Sequence, residues 1–154
     1  MLSVTCDCHQ LKVEGKPVTL LCASLFYFRL SRECWEARME QLRMCGYNCI
    51  DVYIPWNFHE SRPGAWRFTG MYDVEAFLEM AHSHGLYVIA RPGPYICSEW
   101  DGGALPAWLY TQQLDLRQKD SAYLAELDRW LEKILPMLAR HEAGRGGSIV
   151  AVQL

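Results

Sequence analysis

The 154-residue chain contains no apolar run approaching the roughly 20 residues that a membrane-crossing helix needs. Its longest candidate, Val18 to Phe28, is interrupted by Thr19 and Ser24 and ends at Arg29. There is no excess of one charge either. Fifteen basic and 18 acidic side chains leave a net charge of −3, so the electrostatic footprint of a nucleic-acid or anionic-membrane partner is missing. No secretory leader is legible, because Asp7, His9, Gln10, Lys12 and Glu14 break up the first twenty residues. The expectation is a cytoplasmic protein whose seven cysteines (Cys6, Cys8, Cys22, Cys34, Cys45, Cys49 and Cys97) are mostly reduced packing residues. Cys6, Cys8 and His9 lie close together, but no second ligand pair follows and the spacing matches no zinc pattern. No Gly-x-Gly-x-x-Gly follows the first strand, which argues against dinucleotide binding. Gly144-Arg145-Gly146-Gly147 lacks the Lys-Ser/Thr of a phosphate loop and reads as a turn.

What is present is the composition of a globular fold. Hydrophobic residues make up 51% of the chain, enough for one compact domain or a piece of a larger one. Gln10 to Val13 and Val18 to Cys22 flank Glu14-Gly15-Lys16-Pro17, which predicts a short hairpin running into a first core strand. A helix follows, with Ser31 as N-cap, Trp35, Met39, Leu42 and Cys45 along one face, and Gly46 as the stop. Cys49 to Ile54 reads as a second core strand. Asp73 starts a helix with Val74, Phe77, Leu78 and Ala81 at i, i+3, i+4 and i+7. Leu86 to Ala90 reads as a third strand and Ile149 to Leu154 as a fourth. Between them a long helix carries Leu124, Leu127, Leu131, Leu135 and Leu138, with a kink expected at Pro136. Alternating strands and helices imply a parallel sheet with helices outside, as a doubly wound sheet or a (β/α) barrel. Either fold places its site at the C-terminal ends of the strands.

Two segments at those ends carry the chemistry. In the second strand, alternation puts Cys49, Asp51 and Tyr53 on one face and Ile50, Val52 and Ile54 on the other. The fully apolar set should meet the helices. Asp51 and Tyr53 then point inward, Asp51 as a hydrogen-bonded carboxylate. Tyr53 is open to two readings: a hydroxyl at the mouth of a cleft, or a core aromatic with its hydroxyl satisfied. The second segment, Arg91 to Leu109, holds Glu99 and Asp101 among Tyr95, Trp100 and Trp108. Rings that pack the apolar faces of a pyranose, beside carboxylates that bond its hydroxyls, suit a sugar site. Asp101, before Gly102-Gly103, is expected to hold the loop by accepting backbone N–H bonds. The methionines of the helical segments (Met39, Met44, Met80, Met137) are expected in or near the core.

Taken with Phe28-Arg29 and the closing Ile149-Val150-Ala151-Val152-Gln153, these segments resemble glycoside hydrolase family 35, the β-galactosidases. The resemblance runs from about Gly15 to Leu154, and the string from Arg91 to Leu109 is its most specific part. It implies an α/β fold, the first half (about four β/α units) of a (β/α)8 TIM barrel, preceded by the hairpin. It implies retaining hydrolysis of terminal, non-reducing β-galactosyl residues, with no metal and no organic cofactor. By resemblance, Tyr53 and Glu99 bond the galactose, and Cys97 and Ser98 line the same pocket. The acid/base and nucleophilic glutamates of the family are expected beyond Leu154. Glu60 and Glu99 are assigned no catalytic role, so the chain alone should be inactive. The family's usual histidine at the end of the first core strand is replaced by Phe26, within Ala23-Ser24-Leu25-Phe26-Tyr27. The alternative is a non-catalytic sugar-binding or interaction module, in which two half barrels pair through open edges as a homo-oligomer.

Overall fold

The computed structural model describes residues 4–154. Strands β1 (Val4–Cys6), β2 (Leu11–Val13) and β3 (Lys16–Val18) form a three-stranded antiparallel sheet in the order β1-β2-β3. Glu14 and Gly15 turn the chain between β2 and β3, both at positive φ (54° and 74°). That backbone twist suits a two-residue hairpin turn. Val18 therefore belongs to the hairpin rather than to the first core strand. Pro17 is tolerated because β3 is an edge, where its missing N–H leaves no ladder bond open.

The main sheet is parallel, in the order β4 (Cys22–Ser24), β5 (Cys49–Tyr53), β6 (Tyr87–Arg91) and β7 (Ile149–Val152). Chain order equals spatial order, as when each strand is joined to the next by a helical crossover on the same side. Helices α1 (Trp35–Met44), α3 (Val74–Ser83) and α4 (Ser121–Arg140) supply those crossovers, and a one-turn α2 (Trp56–His59) follows β5. Ile50, Val52, Ile54, Val88 and Ala90 are fully buried in one core cluster with Trp35, Met39, Phe77 and Leu78. Asp51, Tyr53, Ile89 and Arg91 alternate with them and are half-buried on the opposite face.

Local signals explain α3 fully, and α1 and α4 only in part. Asp73 caps α3 by accepting from the Ala76 amide at 3.0 Å, and Val74, Phe77, Leu78 and Ala81 are all buried. At α1, Ser31 makes no side-chain bond to the backbone; a 3-10 turn over Arg32–Cys34 leads into the helix instead. Trp35 and Met39 are buried there while Cys45 is exposed. In α4 the buried face is Tyr123, Trp130, Ile134 and Leu138; of the leucine stripe only Leu138 is fully buried, Leu127, Leu131 and Leu135 pack at its edge, and Leu124 is 39% exposed. Trp130 sets that rotation. Its ring stacks on Trp56 at 5.9 Å and its indole donates to the Pro92 carbonyl at 2.9 Å. The helix continues unbroken through Pro136.

Candidate functional site

The site is built where β5, β6 and β7 end. Tyr53 is the last residue of β5 and pairs in register with Arg91, the last of β6. The Arg91 guanidinium lies 4.0 Å from the Tyr53 ring centroid, and Phe26 packs against the same ring at 5.5 Å. The phenol ring is thus held between a cation and an aromatic, while its hydroxyl has no partner among the described residues. One residue pair deeper, Asp51 accepts from Ser24 at 2.5 Å and from Arg91 at 3.1 Å. Asp51 is a hydrogen-bonded carboxylate that fixes Arg91, and through it the Tyr53 ring. A small cavity of about 80 Å³ opens there, lined by Tyr53, Arg91, Gly93, Tyr95, Ile96 and Gln153 among others.

The loop after β6 is strained. Cys97, Ser98 and Glu99 all adopt left-handed backbone, at φ 57°, 49° and 43°. Each such non-glycine residue costs about 1–3 kcal/mol, and strain of this kind gathers at functional sites. Arg29 holds the run in place by donating to the Ser98 carbonyl at 2.6 Å and the Glu99 carbonyl at 3.0 Å. The loop closes with Ile96 N–H bonding the Gly103 carbonyl at 2.9 Å. Gly103, at φ 60°, has no room for a side chain: a Cβ there would fall 2.0 Å from Tyr95 Cε2. Glu99 and Cys97 are exposed, and the Glu99 carboxylate bonds nothing among the described residues.

Tyr53 and the Cys97–Glu99 run thus share one end of the sheet. They are linked through Phe26, whose ring meets both Tyr53 and, at 5.2 Å, the Arg29 guanidinium. Cys97, Ser98 and Glu99 do not line the small cavity beside Tyr53. A second groove of about 560 Å³ runs beside the loop, with Phe58, Trp100 and Tyr110 as rings and Asn57, Arg67 and Asp101 as polar groups.

Beneath the site, polar groups are fully engaged. Glu60 is buried, and accepts from Trp56 Nε1 at 2.7 Å, the Gly64 amide at 2.6 Å and Arg129 at 2.8 Å. With both oxygens occupied, Glu60 is a strut between α2 and α4. His59 is buried; Nδ1 donates to the Arg67 carbonyl at 2.8 Å, so Nε2 accepts from the Tyr27 hydroxyl at 2.5 Å. Burial holds the imidazole down to about 4, against an ordinary 6.5, and pushes the Tyr27 phenol well up.

Three expectations are corrected. Asp101 holds no backbone amide; its carbonyl accepts from Asn57 and its carboxylate bonds nothing among the described residues. Trp100 donates to Asn57 Oδ1 at 2.8 Å, so Asn57 ties the loop down in its place. Six of the seven cysteines are exposed and only Cys49 is buried. Short strands and helix ends put those thiols at the rim of the core rather than in it. Met44, at the last turn of α1, is 81% exposed, whereas Met39 is buried. Among the described residues no group of three or more His, Cys, Asp or Glu could hold a metal ion. No described helix is long and apolar enough to cross a membrane.

The family model of the glycosyl hydrolases family 35 matches residues 10–154. The chain belongs to family 35. A β-galactosidase of Felis catus is 47% identical over 142 residues, which is 92% of this chain and 21% of that protein. The β-galactosidases of Mus musculus (47%) and Homo sapiens (44%) match over the same length. The family 35 chain therefore spans about a fifth of these relatives. Among solved structures, GH5_18 from Streptomyces cattleya in complex with GlcNAc superposes with a TM-score of 0.67. It covers 88% of this chain and 33% of its own, at 14% identity. The Bifidobacterium longum GH5_18 gives 0.61 over 79%. Those two likenesses speak to the fold: the parallel sheet with its helices is the N-terminal portion of a TIM-barrel type.

The sequence pattern set Tyr53, Asp51 and the loop toward one end of the sheet, but did not reveal the work of three arginines. Arg91 could have been found from strand register, since parallel pairing sets it beside Tyr53. Arg29 and Arg129 reach partners about 70 residues away, for which no local signal exists.

Proposed function

We propose that the chain forms the first four β/α units of a (β/α)8 barrel in a retaining β-galactosidase-type hydrolase. The substrate is a terminal, non-reducing β-D-galactosyl residue. Tyr53 offers its hydroxyl to the sugar. Glu99 accepts from sugar hydroxyls, and Cys97 and Ser98 shape the wall beside it. What supports this reading is the conjunction of the family match over residues 10–154 with a strained, carboxylate-bearing loop at the strand end that carries Tyr53.

Retaining hydrolysis needs two carboxyl groups about 5–5.5 Å apart, one to protonate the leaving oxygen and one to attack the anomeric carbon. Asp51 and Glu60 are already engaged by cations, which leaves Glu99 and Asp101 with free carboxylates in the loop. Glu99 is given a binding role here and Asp101 none in the chemistry, so on this reading the 154 residues alone hydrolyse nothing. The interaction-module alternative gives no account of the left-handed run.

The test is p-nitrophenol release from the β-galactoside by the full-length protein, beside the β-N-acetylglucosaminide. Glu99→Gln removes a charge-assisted hydrogen bond of about 1.5–3 kcal/mol and lowers kcat/KM by about 10- to 100-fold. Tyr53→Phe lowers it by about 2- to 10-fold. Hydrolysis by the isolated chain, or an equal rate on the N-acetylglucosaminide, refutes the proposal.

A further inference from the structure

Two thiols lie side by side at the start of the parallel sheet, outside the site described above. Cys22 opens β4 and Cys49 opens β5, and the two are register partners on adjacent strands. Paired residues of parallel strands project their side chains to the same face. Neighbouring strands run about 4.8 Å apart, within the Cα separation of roughly 4.4–6.8 Å that a disulfide spans. The two thiols lie close enough for each to influence the other's ionisation. Cys22 is exposed and Cys49 is buried beside it. β4 is a three-residue edge strand, free to shift by the few tenths of an ångström that bond formation requires. No other two cysteines face each other across neighbouring strands in the described sheets.

We propose that Cys22 and Cys49 are a reversible oxidation site, closed to a disulfide by a small-molecule disulfide of the glutathione class. The exposed Cys22 thiolate attacks one sulfur of the oxidant; that S–S bond breaks and one small thiolate leaves. The Cys49 thiolate then attacks the Cys22 sulfur of the mixed disulfide, and the second small thiolate leaves. The protein gives up two protons and two electrons, and the oxidant takes them up as two thiols. The new bond closes a loop around α1 and ties edge strand β4 to β5. It lies at the opposite end of β5 from Tyr53, so the proposal stands independently of the sugar reading.

Burial is the main influence raising both thiols, and the nearby Asp51 carboxylate adds to it. Exchange is therefore slow, and the reaction must be run to equilibrium rather than pulsed. The 154-residue chain is incubated with oxidised glutathione, quenched with N-ethylmaleimide, and mapped by mass spectrometry without reduction. The expected product is a peptide pair cross-linked through Cys22 and Cys49, reversed by dithiothreitol. It is absent in Cys22→Ser, and in Cys49→Ala a stable glutathione adduct accumulates on Cys22. Closing the loop raises the melting temperature by about 5 °C in the wild type only. A lasting glutathione adduct on wild-type Cys22, no reaction at either thiol, or a dominant cross-link through any other cysteine overturns the proposal.

Discussion

His59 makes the chain acid-labile in a defined pH window. The imidazole is buried and neutral, donating through Nδ1 to the Arg67 carbonyl and accepting the Tyr27 proton at Nε2. Its folded value is about 4, against 6.5 for the ordinary group. In the unfolded chain it takes up a proton as the pH drops below 6.5, and in the folded chain only near 4. The unfolded state therefore binds more protons between these values. The stabilisation is complete above 6.5 and is lost as the pH falls toward 4. A difference of about 2.5 units at 1.36 kcal/mol each gives a loss of about 3 kcal/mol by pH 4.

Other groups titrate over the same range, so the contribution is isolated by difference. Urea unfolding followed by tryptophan fluorescence is run on wild type and His59→Gln from pH 7.5 to pH 4. Glutamine donates and accepts but does not protonate. The wild type starts the more stable, and its advantage shrinks by about 3 kcal/mol over the window, because only its ring charges. Parallel stability curves would refute the reasoning, as would an NMR titration placing the His59 ring near 6.5.

Other substitutions test the scaffold. Gly103→Ala forces a methyl group into the Tyr95 ring and should cost about 2 kcal/mol or more, together with any galactoside binding; proteolysis of the loop and calorimetry check both. Arg129→Met leaves the buried Glu60 carboxylate without its cation. The expected cost is about 2 kcal/mol, below the full penalty for a stranded buried charge, because Trp56 and Gly64 still donate to it; urea midpoints decide. Asp73→Ala removes the α3 cap and should lower stability by about 1 kcal/mol, with hydrogen exchange rising first at Ala76.

Helix α3 was legible because everything that makes it lies within one stretch of chain. Asp73 caps it, four apolar residues repeat at helical spacing, and Gly85 stops it. The faces of β5 were legible for the same reason: a period of two needs no partner to be read. The left-handed run at Cys97–Glu99 was not, since three non-glycine residues there contradict their own preferences. The Arg29 fork, the Trp100 amide on the Cys97 carbonyl and the Gly103 closure hold them in place.

Local order along the chain determined the parallel α/β layout, the inward direction of Asp51 and Tyr53, and the loop on which a sugar site would be sought. Folding decided the rest. It centred the buried face of α4 on Trp130 and Ile134 rather than on its leucine stripe, occupied Glu60 as a strut, freed the Asp101 carboxylate, and set Cys22 beside Cys49. Periodicity and capping act over a few residues, and composition preserves them. Rotation, ion pairing and strand register depend on partners tens of residues away, whose positions exist only once the core has closed.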